Sequence, residues 1–240
     1  MPKFLRGARP SPRHRLAAAR PHVATTPTPA QWLWKPAQLS MWLNDQFGDC
    51  VTAEEAFAKG CIPGVFITDV TVQAYATANN LLNGADLVSV IDLMETAGFQ
   101  QDGKVYDDGP PVSVDWTNPA LLTNAISQGP VKIGVAADQL ETAVNAGIML
   151  PNGWPENGWF ATAFQRDTNE DHCAGLAGYG PMGWLFEELK AAIPDGVDQD
   201  APGYAAFTWS SIGVIDPPSL QAICGECWLR VPTSIVKGTV

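Results

Sequence analysis

One stretch decides the organisation of the chain, and it reads Asn44-Asp45-Gln46-Phe47-Gly48-Asp49-Cys50-Val51-Thr52-Ala53-Glu54-Glu55-Ala56-Phe57-Ala58-Lys59-Gly60. Asp49 is a favourable N-cap residue and Gly60 a typical helix stop, so the sequence predicts a helix over residues 50–60. Cys50 then lies in the first turn, where unpaired backbone N–H groups and the helix dipole favour a thiolate. This position predicts a nucleophilic cysteine if a base lies nearby, and the alternative is a small buried residue at a helix start.

Composition limits the class of protein. The chain has 240 residues, of which 46% are apolar, which is enough for one large domain or two small ones. No apolar run approaches the roughly 18–20 residues of a membrane span, and no apolar segment of a signal peptide follows the basic N-terminus. We therefore expect a cytoplasmic protein or a virion component that has no membrane partner.

Charge is segregated along the chain. Residues 1–44 contain seven Lys or Arg and no acid, whereas residues 45–240 contain the other seven bases and all 25 acids, a formal charge of −18. We interpret residues 1–30 as a basic, Pro/Ala-rich extended arm without core residues that lies on another subunit or an anionic surface. The alternatives are a solvated tail, or an arm that is anchored to its own domain by Trp32, Trp34 and Trp42. Nucleic acid is an unlikely partner of the acidic body, except through residues 1–30.

Hydrophobic periodicity indicates helices first and strands second, which is typical of an α+β protein. The sequence predicts helices over residues 50–60, 69–82, 86–97 and 119–128, and a helical turn over 140–146. It predicts strands over residues 131–136, 173–180 and 204–209, and loops over 99–118 and 151–169.

A nucleophilic cysteine needs a base from elsewhere in the chain. Of the three histidines, His14 and His22 belong to the arm and its edge, and only His172 lies in a folded segment, at the start of a predicted strand. His172 is therefore the candidate base for Cys50, and the alternative is a structural histidine.

Six short motifs occur in an order that resembles the papain-like cysteine peptidases. A polar loop leads to the cysteine at a helix start, a helical half follows, and strands then carry the remaining motifs. These are Gly129-Pro130-Val131, Ala146-Gly147-Ile148, Asp171-His172, Gly178-Tyr179-Gly180 and Phe207-Thr208-Trp209-Ser210. The resemblance covers about residues 40–215, and it is nearest to the divergent bacterial and phage type with a Gly-Asp-Cys nucleophile loop.

This resemblance implies a two-lobed α+β fold, with the nucleophile helix in a helical lobe and the histidine in an antiparallel β lobe. The domain would span residues 31–215, with a helical half at about 40–128 and a β half at about 129–215. Residues 216–240 would form a C-terminal extension, which contains the pair Cys224 and Cys227. That CxxC pair lacks two further ligands for zinc, and we expect neither a metal nor a cofactor.

The resemblance also implies the roles of the site residues. Cys50 would be the nucleophile, His172 the base, and Thr208 the residue that orients the imidazole where the family has asparagine. Two residues are candidates for the side-chain oxyanion donor: Asn44, which stands six residues before the cysteine, and Gln46. Asp49 is expected to oppose a thiolate, because it is an anion next to the sulfur.

Two functions follow from this pattern. The first is a peptidase or amidase that transfers an acyl group from a protein or peptide substrate to the cysteine. The alternative is a catalytically weak or inactive papain-like module that serves as a structural or binding subunit of a larger assembly such as a phage virion, with other subunits contacted through the arm.

Overall fold

The computed structural model describes residues 4–237, with side chains as far as Arg230. The helices are α1 (Arg13–Ala18), α2 (Cys50–Gly60), α3 (Asp69–Ala78), α4 (Leu87–Thr96), α5 (Pro119–Gln128), α6 (Asp138–Ala146), α7 (Met182–Glu188) and α8 (Pro217–Ile223). The strands are β1 (Ala8–Arg9), β2 (Trp32–Leu33), β3 (Ala85–Asp86), β4 (Phe99–Gln101), β5 (Lys104–Ser113), β6 (Val131–Val135), β7 (Phe160–Ala161), β8 (His172–Pro181), β9 (Pro202–Thr208), β10 (Ser211–Ile215) and β11 (Cys224–Lys237).

Most strands belong to one sheet, whose order is β4-β5-β11-β6-β8-β9-β10-β7, with β2 paired to β8 as well. Its pairings are antiparallel except for that of β7 with β10, which is parallel. A separate parallel pair joins β1 to β3. Among the described residues, no helix has the length and apolar character needed to span a membrane.

The sheet separates two apolar cores, and strand β8 shows how. Cys173 and Ala177 contribute to the core that contains α2, α3 and α4, whereas Ala174 and Leu176 contribute to the core beside α5, α6 and α8. This alternation is the period of two expected of a strand that is buried on both faces. Helix α2 lies directly against β8, because a Cβ at Gly175 would come within 3.3 Å of the Phe57 ring.

The helices begin where capping side chains are available. Asp86 accepts a hydrogen bond from the Ser89 N–H at the start of α4, and Asn118 accepts from Ala120 and Leu121 at the start of α5. Helix α3 ends at Ala78, earlier than the expected position 82, and Asn80 then adopts a left-handed conformation with φ of 57°. The other predicted helices agree closely in position with those observed.

The loop predicted over residues 99–118 is wrong, because much of this segment is the hairpin of β4 and β5. Asp102 and Gly103 occupy its turn with φ of 51° and 70°. Asp-Gly is a strong signal for a two-residue turn with both central φ angles positive. The segment is rich in Gly, Asp and Pro, which is typical of loops, and this composition concealed the turn signal. The hairpin is stabilised further by the pairing of β5 with β11.

Residues 216–240 were expected to form a C-terminal extension, and this expectation is also wrong. Strand β11 lies between β5 and β6, inside the sheet, so it is a structural part of the domain. Cys224 and Cys227 lie at its start as free thiols. Within residues 4–237, no group of three or more His, Cys, Asp or Glu side chains is arranged to hold a metal ion.

The N-terminal arm packs on its own chain, so the expectation that it contributes no core residues is wrong. Phe4, Ala8, Ser11 and His22 are buried. The backbone N–H of His22 donates to the Ser113 carbonyl at 2.7 Å, and the ring Nε2 of His22 lies 3.0 Å from Oδ1 of Asn124. Residues of the arm therefore contact the body of their own chain.

Candidate active site

Cys50 is the first residue of α2, and the segment before it turns sharply. Trp42 and Leu43 have φ of 45° and 72°, an unusual conformation for large side chains. Asp49 occupies the N-cap position, but its side chain makes no capping hydrogen bond. Burial raises the pKa of this carboxyl to about 8, so Asp49 is mostly neutral near pH 7. When ionised, Asp49 raises the pKa of the Cys50 thiol by its charge, as expected for an anion next to the sulfur.

The Cys50 side chain is fully buried in this state. Burial raises the pKa of its thiol to about 11, and the backbone N–H groups of Cys173, Gly7 and Ala8 offset only part of this rise. The helix start was expected to favour a thiolate, and in this structure that expectation is wrong because desolvation outweighs the dipole. Burial also raises the pKa values of the Cys61 and Cys173 thiols, that of Cys173 well above its ordinary value.

His172 opens strand β8 and is almost completely buried. Its Nε2 lies 2.7 Å from Oγ1 of Thr208, and its Nδ1 has no hydrogen-bond partner among the described residues. With Nε2 as the donor to Thr208, Nδ1 is an unprotonated nitrogen that can accept a proton. Burial and, after it, the positive charge of Arg6 lower the pKa of His172 to about 3, so the imidazole is neutral.

The turn between β9 and β10 positions a ring over this imidazole. Thr208 pairs with Ser211, and the two residues between them, Trp209 and Ser210, have φ of 41° and 62°. Neither is glycine, so the turn holds an uncommon conformation of the kind that is often found at functional sites. Trp209 stacks on His172 with ring centroids 4.2 Å apart, and it covers the imidazole from water.

The two oxyanion candidates differ in position. Asn44 is buried in the loop before the cysteine, and its Nδ2 donates to the Phe47 carbonyl at 3.1 Å. Gln46 is exposed. Burial and a fixed amide favour Asn44 as the side-chain donor, whereas the amide of Gln46 would need to turn inward from solvent.

The elements that carry Cys50 and His172 meet at the start of β8. The N–H of Cys173, the residue after His172, faces the Cys50 thiol. On the same side, the buried Lys132 of β6 donates from Nζ to the carbonyl of Val51 at 2.7 Å. These contacts fix the first turn of α2 beside the end of the sheet that bears His172.

The arm lies over this site. Phe4 stacks on Trp209 with centroids 4.9 Å apart, and the Trp209 indole donates to the Leu5 carbonyl at 3.3 Å. The Leu5 N–H donates to the Asn44 carbonyl at 3.1 Å. The Ala8 N–H donates to the carbonyl of Asp171, the residue before His172, also at 3.1 Å. Residues 4–8 therefore contact the loop before Cys50, the start of β8 and the turn between β9 and β10.

Gly7 is the tightest point of the arm. An ideal Cβ built on Gly7 would lie 1.8 Å from the Gly48 carbonyl oxygen, a distance that no side chain tolerates. The Gly7 carbonyl accepts a hydrogen bond from the Ala85 N–H at 2.9 Å. The backbone N–H groups of Gly7 and Ala8 lower the pKa of the Cys50 thiol, so the arm supplies amide donors to this side chain.

A group of four side chains, the Arg6 cluster, fixes the arm next to His172. The Arg6 guanidinium contacts Asp138, lies 2.5 Å from a Glu141 carboxylate oxygen and lies 2.9 Å from one of Asp171. Sequence reasoning did not identify Arg6 or Gly7 as site residues. The segregation of bases and acids was the available signal, since it predicts attraction between arm and body.

A second charged group, which we call the buried ion network, links helix α2 to the sheet. Its six members are Glu54, Glu55, Lys59, Asp108, Lys132 and Arg230. Arg230 contacts Glu54 through both terminal nitrogens, and Lys132 lies 2.7 Å from Glu55. The network joins α2 to β5, β6 and β11 and balances three acids with three bases.

Neither a family model nor a curated protein matches the sequence, but solved structures are similar in fold. The proform of the ragweed pollen allergen Amb a 11, a cysteine protease, has a TM-score of 0.60 at 10% identity, over 92% of this chain and 72% of that chain. Procathepsin L 3 of Tenebrio molitor larval midgut has a TM-score of 0.55 at 12% identity, over 89% and 73%. The Carica candamarcensis cysteine protease CMS1MS2, in complex with E-64, has a TM-score of 0.56 at 12% identity, over 86% and 100%.

These similarities confirm the expected α+β papain-like fold. At identities of 10–12% they establish the fold alone, and the chemistry of this chain has to be argued from its own residues.

Proposed function

We propose that the chain is a papain-like cysteine peptidase or amidase whose site is covered by its own N-terminal arm. One observation carries the proposal. Nε2 of His172 lies within hydrogen-bond distance of Thr208, and its buried Nδ1 has no partner among the residues that the structure describes. The backbone N–H of the next residue, Cys173, lowers the pKa of the Cys50 thiol. A nucleophile, a base and an orienting group in this relation are what acyl transfer requires.

The proposed reaction has two steps. The proton of the Cys50 thiol passes to Nδ1 of His172, and the sulfur attacks the carbonyl carbon of an amide. A C–S bond forms, the C–N bond breaks, and His172 gives the proton to the leaving amine. Water then attacks the acyl carbon of the thioester while His172 takes a proton from it. A C–O bond forms, the C–S bond breaks, and His172 returns the proton to the Cys50 sulfur.

The other residues have supporting roles in this scheme. The Cys50 backbone N–H and the Asn44 amide would donate to the oxyanion, with Gln46 as the alternative donor. Thr208 would hold the imidazole with its proton on Nε2, and Trp209 would shield that hydrogen bond from water. Thr208 replaces an amide by a hydroxyl, so we expect it to orient the ring less firmly than asparagine does.

The arm determines the charge state of the pair. With residues 4–8 in place, both the thiol and the imidazole are desolvated and neutral. Withdrawal of the arm would return water to both groups and remove the Arg6 charge from His172. Two of the similar structures are proforms, and we propose that the arm of this chain keeps its site covered.

The alternative function is a binding module without turnover. The raised pKa of Cys50 and the covering of the site favour it, because a neutral, enclosed thiol is a poor nucleophile. In that case the arm would be a permanent part of the domain. Contacts with other subunits, and a place in a bacterial or phage assembly, remain predictions in either case.

The test is labelling of Cys50 by a thiol-reactive acyl probe, with mass spectrometry to locate the label. The chain carrying Gly7→Ala, in which the arm cannot retain its position, is compared with the same chain carrying His172→Ala. We expect acylation of Cys50 to depend on His172, while that of Cys61 does not change. Acylation of Cys50 at the same rate without His172, together with no hydrolysis of a fluorescent casein, would favour the binding module.

A further inference from the structure

The three carboxylates around Arg6 belong to the body of the domain. Asp138 and Glu141 lie in the first turn of α6, and Asp171 directly precedes the histidine of β8. Asp171 is held independently of the arm side chain, because its Oδ1 accepts the Ala137 N–H at 3.0 Å and its N–H donates to the Val135 carbonyl. The carboxylates therefore form an acceptor set on the body of the domain, anchored at Asp171, and the arm fills it with a guanidinium.

This acceptor set lies beside the reacting groups. The Arg6 guanidinium lies 2.9 Å from a carboxylate oxygen of Asp171, the residue before His172, and its charge is, after burial, the second cause of the lowered pKa of His172. The next residue, Gly7, directs its N–H toward the Cys50 thiol. Any peptide that replaces the arm over Cys50 encounters the same carboxylates and the same Gly48 carbonyl.

We infer that Asp138, Glu141 and Asp171 form a subsite for a substrate arginine, and that the residue after this arginine has to be glycine. The inference rests on the proposed function and names its substrate class as proteins or peptides with an Arg-Gly sequence. Three carboxylate oxygens match the several N–H donors of a guanidinium, and their negative charge attracts its positive charge. The glycine requirement follows from the 1.8 Å approach of a Cβ to the Gly48 oxygen.

Binding to the full chain with Gly7→Ala and Cys50→Ser tests the inference without any need for chemistry. The first probe is the acetylated, amidated peptide Phe-Leu-Arg-Gly-Ala-Arg, which copies residues 4–9. The second has citrulline in place of the first arginine, which keeps the shape and removes the charge. The third has alanine in place of glycine. Affinity is measured by calorimetry at low and high salt.

We expect the alanine peptide to bind at least about tenfold more weakly than the first probe, because its Cβ clashes with the backbone. The citrulline peptide should bind up to about fivefold more weakly, because the ion pairs that it loses are partly exposed. High salt should reduce the advantage of arginine over citrulline. Glu141→Gln with Asp171→Asn should remove that advantage while leaving the glycine requirement unchanged. The equivalent change at Glu156, which is exposed, is the control.

Equal binding of the arginine and citrulline peptides would overturn the arginine subsite, and equal binding of the alanine peptide would overturn the glycine requirement. If the Gly7→Ala chain does not fold, Arg6→Gln replaces it as the variant with a weakened arm. Because Cys50 is absent from the binding chain, failure of the peptidase proposal would leave these binding results unchanged. A chain that binds Arg-Gly peptides but never acylates Cys50 would support the subsite in a binding module.

Discussion

The buried ion network and the Arg6 cluster both contain several acids and bases, but they differ in solvent exposure. The side chains of the buried ion network are at most 3% exposed, whereas those of the Arg6 cluster are 25–72% exposed. In the first, each charge is compensated only by its partners, so loss of one partner leaves an uncompensated buried charge. In the second, water can replace a partner. The contrast indicates that the buried ion network holds α2 permanently, whereas the Arg6 cluster attaches the arm reversibly.

The largest effect is expected from the buried ion network. Arg230→Met would leave Glu54 and Glu55 without their shared guanidinium, and we expect the free energy of unfolding to fall by about 3–5 kcal/mol. Urea denaturation measures this loss. Arg15→Gln, which breaks a half-exposed pair with Asp92, is the control and should cost less than about 1 kcal/mol. Equal effects of the two substitutions would remove the distinction between the network and an ordinary surface pair.

A smaller effect is expected at the arm itself. Gly7→Ala should displace residues 4–8 and bring the pKa of Cys50 from about 11 toward its ordinary value near 9. At neutral pH the thiolate fraction, and with it the rate of alkylation by iodoacetamide, should rise roughly 100-fold, since each pKa unit is a factor of ten. Gly60→Ala is the matched control, because its Cβ would meet only Pro36 at 3.6 Å. An unchanged rate in Gly7→Ala would show that the arm does not limit access to the thiol.

The smallest effect on stability is expected from Arg6→Gln. The exposed cluster should contribute no more than about 1 kcal/mol to unfolding. The pKa of His172 should nevertheless rise from about 3, because one of its two lowering causes is removed. A proton NMR titration of the imidazole, with the exposed His14 as reference, measures this change. A His172 signal that titrates identically in both chains would contradict the coupling between the arm and the base.

The effect of Arg6 on the pKa of His172 also predicts how stability changes with pH. His172 has a folded pKa of about 3 and an ordinary value of 6.5, so the unfolded chain binds the proton more readily between these values. The contribution of His172 to stability is therefore lost as pH falls from about 6.5 toward 3, whereas buried Asp49, with a folded pKa of about 8, contributes with the opposite sign in both chains. Because Arg6→Gln raises the folded pKa of His172, the loss between pH 6 and 4 should be shallower. Urea midpoints across this range measure it, and a steeper loss in the variant would contradict the assignment.

Much of the fold could be predicted from local patterns in the sequence. The helix after Cys50, the amphipathic α4 and the strand that begins at His172 depend on capping and periodicity within a few residues. Strand β11 could not be predicted in this way, because its place between β5 and β6 depends on pairing with distant segments. The Asp102-Gly103 turn was a local signal that composition concealed.

The candidate site was predictable as a set of residue types but not in its charge state. Cys50 and His172 followed from a helix start and from the scarcity of histidine. Their neutral state depends on burial beneath residues 4–8, a long-range contact that no spacing within the sequence records. The same contact explains why the basic arm was assigned to another subunit: its charges identified an acidic partner but not the chain that carries it.

The most direct test of the central claim is a search for the thioester at Cys50. The Gly7→Ala chain would be mixed with the arginine-glycine peptide bearing a C-terminal amide dye, quenched in acid within milliseconds to seconds, and analysed by intact mass. The account predicts an acyl adduct on Cys50 that appears with release of the dye and is absent from the Cys50→Ser and His172→Ala chains. An accessible Cys50 that forms no adduct and releases no dye between pH 5 and 9 would contradict it.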